Sequence, residues 1–175
     1  MTDQPVLPAC DHQPHAYDGL SREVVLDMRR EFLTPALVTY YAEPIMIVEG
    51  HMQWLFDETG RRYLDGIAGI VTVSVGHCHP KVLEAVREQN ERLQHTTTIY
   101  LNPNIAAFGK KLISTFSKDS GLGVCYFTNS GSEANELAML MARLHTGNFD
   151  ILALHNAYHG LSNQAMGLTA LHSWK

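Results

Sequence analysis

The sequence predicts an α/β fold with a parallel sheet, and three stretches carry that prediction. Residues 124–128 are a short apolar run, residues 133–144 have helical periodicity, and residues 150–154 are a second apolar run. Strand, helix and strand at this length make one βαβ crossover, which sets the two strands parallel in one buried sheet. The polar turn Asn129-Ser130-Gly131-Ser132 separates the first strand from the helix. Ser130 stands three residues before Glu133, the capping-box spacing.

That turn is also the first candidate site. The opening amides of a helix have no internal partners and sit at the positive end of its dipole. Gly131 lets a ligand approach the backbone, and Ser130 and Ser132 add hydroxyl donors. Together they form a small anion socket suited to a phosphate. The same pattern also caps helices that bind nothing. The loop 155–162 starts at the carboxyl end of the second strand, the edge where ligands gather in open α/β sheets. Tyr158-His159-Gly160 would therefore face the pocket of the Ser130–Ser132 turn, with a planar heterocycle stacked on Tyr158. The alternative is a partly buried tyrosine under a surface loop.

The other elements follow in chain order. Residues 1–19 hold Pro5, Pro8 and Pro14 and read as an arm lying on a surface, its own or a partner's. Ser21 caps a helix over 22–33 with Val24, Val25, Met28 and Phe32 on one face, and Thr34-Pro35 ends it. Residues 45–48, 52–57 and 62–65 read as a small antiparallel meander, with turns at Glu49-Gly50 and Glu58-Thr59-Gly60. Gly66 to Gly76 is small and apolar. Pro80 opens a helix carrying Val82, Leu83, Val86 and Leu93, and another helix carries Ile105, Phe108, Leu112, Ile113 and Phe116. Residues 1–75 are read as an arm and smaller part, and 76–175 as the start of the main α/β domain.

Composition narrows the function. The chain has 175 residues, 45% apolar and 18% charged, which is globular and not disordered. A net charge of −5 without a basic block argues against a nucleic-acid partner. No apolar run is long enough to span a membrane. Three scattered cysteines make no disulfide framework. The first basic residue is Arg22, after Asp3, Asp11 and Asp18, so no import presequence is visible and a cytosolic location stays open. His77-Cys78-His79 crowds ligand-type residues, but neighbours cannot easily converge on one ion, and local capping of the Pro80 helix is the expectation, with no metal. No serine-hydrolase elbow, H-E-x-x-H helix or Walker lysine occurs. Of the five lysines, Lys81, Lys110, Lys111, Lys118 and Lys175, none has an evident desolvated site, so no catalytic residue is assigned.

Asn129-Ser130-Gly131-Ser132-Glu133-Ala134-Asn135, Ala157-Tyr158-His159-Gly160 and Gly76-His77-Cys78-His79-Pro80 resemble class III pyridoxal-phosphate aminotransferases, over about residues 40–174. Tyr63-Leu64-Asp65, residues 68–73 and residues 136–143 sharpen the resemblance toward the alanine–glyoxylate type. The resemblance implies the aspartate-aminotransferase-like fold type I, with pyridoxal 5'-phosphate bound between a large and a small domain of a homodimer or homotetramer. It implies that Gly131 and Ser132, with Ser130 adjoining, hold the cofactor phosphate, that Tyr158 stacks on its ring and that His159 sits beside it. Ile70 falls where relatives line the substrate pocket, and Tyr100 lies in a loop that reaches an active site. The implied reaction moves an amino group from an amino acid such as alanine to a keto acid such as glyoxylate, in mitochondria. The family's Schiff-base lysine and pyridinium aspartate are expected beyond Lys175, so this chain alone is expected to be inactive. A non-catalytic truncated subunit or binding module stands as the alternative. Within the class, a β-amino acid–pyruvate aminotransferase, an aminomutase or a decarboxylase does too.

Overall fold

The computed structural model describes residues 9–171; Pro5, Pro8, Trp174 and Lys175 lie outside the described residues. The chain divides into two compact units, one ending at Thr96 and one beginning at Thr97. Gly76 to Pro80 belong to the first unit, because Met52 and His77 pair as an isolated antiparallel bridge.

In the first unit the meander forms as β1 (Ile47–His51), β2 (Trp54–Asp57) and β3 (Arg62–Leu64), in that order and all antiparallel. The expected turn at Glu49-Gly50 is not there. His51 pairs with Trp54, so the chain reverses at Met52-Gln53, and Glu49 and Gly50 pair with Phe56 and Leu55 inside the ladder. Gly50 serves close approach and not reversal: a Cβ there would lie 2.9 Å from Cβ and Cγ of His77. The second turn falls as expected, with Gly60 left-handed at φ +80. Buried Asp57 organises it. Its Oδ1 accepts from the Thr59 amide (2.9 Å), the Thr59 hydroxyl (2.7 Å) and the Arg61 amide (3.0 Å), and its Oδ2 from the Tyr63 hydroxyl (2.7 Å). Burial pushes the Asp57 carboxyl up, but these four bonds outweigh it and leave the group below its ordinary value.

Alternation along the ladder puts Glu49, His51, Trp54 and Phe56 on one face. Trp54 and Phe56 are the buried apolar centre of this unit, with the Arg62 guanidinium over the Trp54 ring at 4.4 Å. The arm lies on that face. His12 stacks on His51 at 4.2 Å, and its Nε2 is 2.5 Å from Oε1 of Glu49. The His15 amide donates to Oε2 of Glu49 at 2.8 Å. These two residues hold the Glu49 carboxyl at about 2, against the opposing effect of burial. Ser21 caps the helix Arg22–Phe32 by accepting from the Val24 amide, and Arg22 pairs with Glu58 of the second turn. The apolar stripe of that helix, Val24, Met28 and Phe32, stays exposed.

Between Asp65 and His77 the chain makes a left-handed turn, with φ of +50, +59, +58 and +57 at Ala68, Gly69, Ile70 and Val71. That conformation costs roughly 1–2 kcal/mol per non-glycine residue. The helix Pro80–Arg92 follows. The expected capping role of its leading histidines does not hold. His79 stands at the N-cap without a side-chain bond to the helix, and the His77 ring turns away to Asp65 instead. Among the described residues no group of three or more His, Cys, Asp or Glu side chains is placed to hold a metal ion. No helix among them is long and apolar enough to cross a membrane.

The second unit carries the helix Pro103–Ile113, capped by Asn102, the central helix Gly131–Thr146 and a short helix Asn163–Leu168 that the sequence reading left unassigned. Phe127 stacks on Phe108 at 5.1 Å, and Cys125 approaches Gly109, so alternate residues of 124–128 face the helix Pro103–Ile113 while Val124 and Tyr126 stay exposed. The period of two is that of a strand, yet the expected parallel pair does not form. Residues 124–128 and 150–154 exchange no backbone hydrogen bonds, and the only ladders among the described residues are antiparallel. Residues 150–154 are not buried either: Leu152 is fully exposed. A parallel strand needs at least one hydrogen-bonded neighbour and, in a sheet, cover on both faces, and neither segment has them here.

Two outcomes follow from this packing. Trp54→Ala is expected to destabilise the first unit by about 3–5 kcal/mol, whereas Leu152→Ala in the second stays within about 0.5 kcal/mol, both read from urea unfolding. The Glu49 contribution to stability is full above its unfolded value of 4.5 and is lost as the pH falls toward about 2. Urea midpoints measured across that window should therefore fall less steeply in Glu49→Gln than in the unmodified chain.

Candidate functional site

The central helix begins where the apolar run 124–128 ends. Ser130 is its N-cap, and its Oγ accepts from the Glu133 amide at 3.1 Å. The reciprocal half of the capping box is displaced by one residue: the Glu133 carboxylate accepts from the Asn129 amide at 2.6 Å. The carboxylate is thus turned back along the entering chain. The amides of Gly131 and Ser132 have no hydrogen-bond partner among the described residues, and a Cβ at Gly131 would meet nothing within 4 Å. This is an open mouth of donors at the positive end of a sixteen-residue helix.

The loop after residues 150–154 is bound to that mouth. Asn135 Nδ2 donates to the His159 carbonyl at 2.7 Å, and the Leu161 amide donates to Ser132 Oγ at 3.3 Å. Gly160, at φ +124, comes so close that a Cβ would stand 2.3 Å from Ser132 Oγ, so only glycine fits. Fully buried Thr169 fastens the loop from behind. Its hydroxyl accepts from the His159 amide at 3.0 Å and bonds the carbonyls of Gly160 and Ala165 at 3.2 and 3.0 Å. The Ala170 amide donates to the Ala157 carbonyl at 2.9 Å. The short helix is held in turn by Glu136, whose two oxygens accept from the amide and side chain of Gln164 at 3.0 and 2.8 Å.

The structure therefore brings Ser130, Gly131 and Ser132 together with Tyr158, His159 and Gly160. Tyr158 is half exposed, and His159 Nε2 is buried without a partner. Both serine oxygens receive amide protons, and each hydroxyl keeps a hydrogen to donate. Open amides, two serine hydroxyls and a half-exposed tyrosine suit a phosphorylated heterocycle. Tyr100, in the same unit, is exposed in the loop before the helix Pro103–Ile113, and its amide bonds locally to the Thr97 carbonyl at 3.1 Å. Ile70, in the first unit, stands exposed on the left-handed turn. Sequence reasoning missed Asn135 and Thr169 as fasteners. Asn135 sits inside a quoted motif, but its partner lies 24 residues away, and Thr169 carries no local signal at all.

Comparison with known proteins adds the family. The sequence matches the family described as aminotransferase class-III over residues 38–174. It is 52% identical to an Arabidopsis thaliana protein named alanine–glyoxylate aminotransferase 2 homolog 2, mitochondrial, over 97% of this chain and 35% of that protein. An Arthrobacter phospholyase solved with phosphoethanolamine superposes with a TM-score of 0.76 at 35% identity, covering 84% of this chain and 34% of that one. An amine transaminase from an uncultivated Pseudomonas species, solved in its PLP-bound form, superposes with a TM-score of 0.69 at 25% identity, covering 82% and 35%. The chain spans about a third of the length of the relatives it matches. Its fold is that of the PLP-dependent transferases of fold type I. A family match across most of the sequence and close identity to a curated member lead to one conclusion: this chain belongs to the class III aminotransferases.

Proposed function

We propose that the chain supplies the cofactor-phosphate site of a pyridoxal-phosphate-dependent transaminase of the alanine–glyoxylate type. Such an enzyme moves an amino group from an amino acid such as alanine to a keto acid such as glyoxylate. The observation that carries this reading is the open pair of amides at Gly131 and Ser132, tied to the loop that carries Tyr158 and His159. The identity to a protein of that name supports the substrate assignment. When bound, pyridoxal phosphate supplies the electron sink for the amino transfer. The chain's own residues do the holding. Gly131 and Ser132 donate to the phosphate through their amides, Ser130 and Ser132 add hydroxyl donors, Tyr158 covers the ring, and His159 stands beside it. Ile70 and Tyr100 are assigned to the substrate side.

Lys81, Lys110, Lys111 and Lys118 are all exposed, and none meets the need of a covalent cofactor lysine for a desolvated site. The chain alone is therefore expected to bind the cofactor without turnover. The mitochondrial names of relatives support a mitochondrial location, and a homodimeric or homotetrameric assembly belongs to the same reading. A second reading, another reaction on the same scaffold, is favoured by the phospholyase likeness, because a phosphate grip does not set the fate of the substrate.

Titration of pyridoxal phosphate, followed by its absorbance and by calorimetry, tests the site. Ser132→Ala removes a charge-assisted donor and should weaken binding about 10- to 100-fold. Tyr158→Ala removes a stacking contact of about 1 kcal/mol and should weaken it about fivefold. Pyridoxal without its phosphate should bind far more weakly and ignore Ser132→Ala. Equal affinities for all these pairs would refute the placement.

A further inference from the structure

Residues 65–77 form a loop with a closed neck. The Met52 amide donates to the His77 carbonyl and the His77 amide to the Met52 carbonyl, both at 2.7 Å. Gly76, at φ +102, makes this approach, since a Cβ there would lie 2.9 Å from the Met52 Cα. Within the loop Ala68, Gly69, Ile70 and Val71 form one continuous left-handed turn. Branched side chains are the least suited to that conformation, and Ile70 and Val71 are 78% and 76% exposed, so little packing offsets the strain.

Backbone bonds close the turn, from the Val71 amide to the Ile67 carbonyl and from the Thr72 amide to the Ala68 carbonyl, both at 2.9 Å, and Asp65 holds its entry. Its Oδ1 accepts from the amides of Ile67 (3.0 Å) and Ala68 (2.9 Å), the two residues that enter the turn. Its Oδ2 accepts from His77 Nε2 at 2.6 Å, and the carboxylate is 4% exposed. The His77 ring is in turn set against Gly50 of β1, where no side chain would fit. One carboxylate thus links the entry of the turn to the neck of the loop.

We infer that Asp65 and His77 are positioning residues, a clamp that keeps Ala68–Val71 left-handed and so fixes the direction in which Ile70 points. The inference deepens the proposed function and rests on it for one point, the placement of Ile70 on the substrate side. The clamp keeps Ile70 pointing one way, and loosening it lets its backbone leave the left-handed region.

A rescue experiment tests it. Asp65→Asn should lower the melting temperature and raise hydrogen exchange at the Ile67 and Ala68 amides at least tenfold. Val71→Gly relieves the strained backbone without losing packing. Combined with Asp65→Asn, it should recover more than half of the lost melting temperature. Val73→Gly, outside the left-handed turn, should recover none. Absence of rescue by Val71→Gly, or equal rescue by Val73→Gly, would overturn the clamp. Asp65→Asn should also take Ile70 out of the left-handed region, read from its backbone chemical shifts and amide-to-alpha coupling. Rescue of the melting temperature without that change would overturn the positioning role. Failure of the unmodified chain to bind pyridoxal phosphate would sink the proposed function instead, and the rescue would still decide the clamp.

Discussion

The tightest constraint in the second unit is the missing side chain at Gly160. With φ at +124 and Ser132 Oγ where a Cβ would be, the loop and the helix start approach as closely as backbone allows. That approach lets Ser132 reach the Leu161 amide and Asn135 reach the His159 carbonyl. Thr169 then takes the His159 amide from the opposite side. Each such bond contributes about 0.5–1.5 kcal/mol net, so three or four hold a short loop in one register without the help of an apolar core. The consequence for chemistry is geometric: the tyrosine ring and the open amides cannot drift apart while these ties stand.

Polar fasteners of this kind carry much of the described structure. The fully or nearly buried apolar residues are few: Trp54 and Phe56 in one unit, Met139 and Ala165 in the other. Beside them stand Asp57 with four donors and Thr169 with three backbone partners. A buried polar group costs least when it is satisfied, and both of these are. The large apolar surface lies elsewhere, on the stripe of the first helix and on residues 124–128 and 150–154. Those faces have the pattern of core elements, in a chain that spans about a third of the length of its relatives.

Local chemistry was legible in the sequence, and long-range chemistry was not. Ser21 and Ser130 declare helix starts because a cap acts over two or three residues. The meander was readable from its alternation, but Gly50 was misread as a turn residue because its reason is His77, 27 positions away. His77 was misread as a helix cap for the same cause, since its partner Asp65 lies on the far side of a loop. The two apolar runs of the second unit were read as paired strands, and no ladder joins them. Period and length define a strand candidate, whereas a ladder depends on neighbours that no local pattern encodes. Nothing in composition or spacing hinted at a left-handed turn through Ile70 and Val71.

On the proposed function, that turn bears on how a scaffold of this kind comes to choose among substrates. An anion socket made of helix amides grips a phosphate and is indifferent to what is attached beyond it. A phospholyase and an amine transaminase share this fold at 35% and 25% identity to the chain, so the choice of reaction and substrate has to be made by other side chains. A branched residue such as Ile70 has few rotamers of its own, and the backbone beneath it decides where it points. Holding that backbone in a disfavoured conformation defines the direction sharply, provided something offsets the strain. Asp65, with two amides and an imidazole on one carboxylate, is that something. The strain and the clamp are therefore one feature: the carboxylate adds to the turn's own backbone bonds the hold on its entry, and the turn supplies the amides that the carboxylate collects.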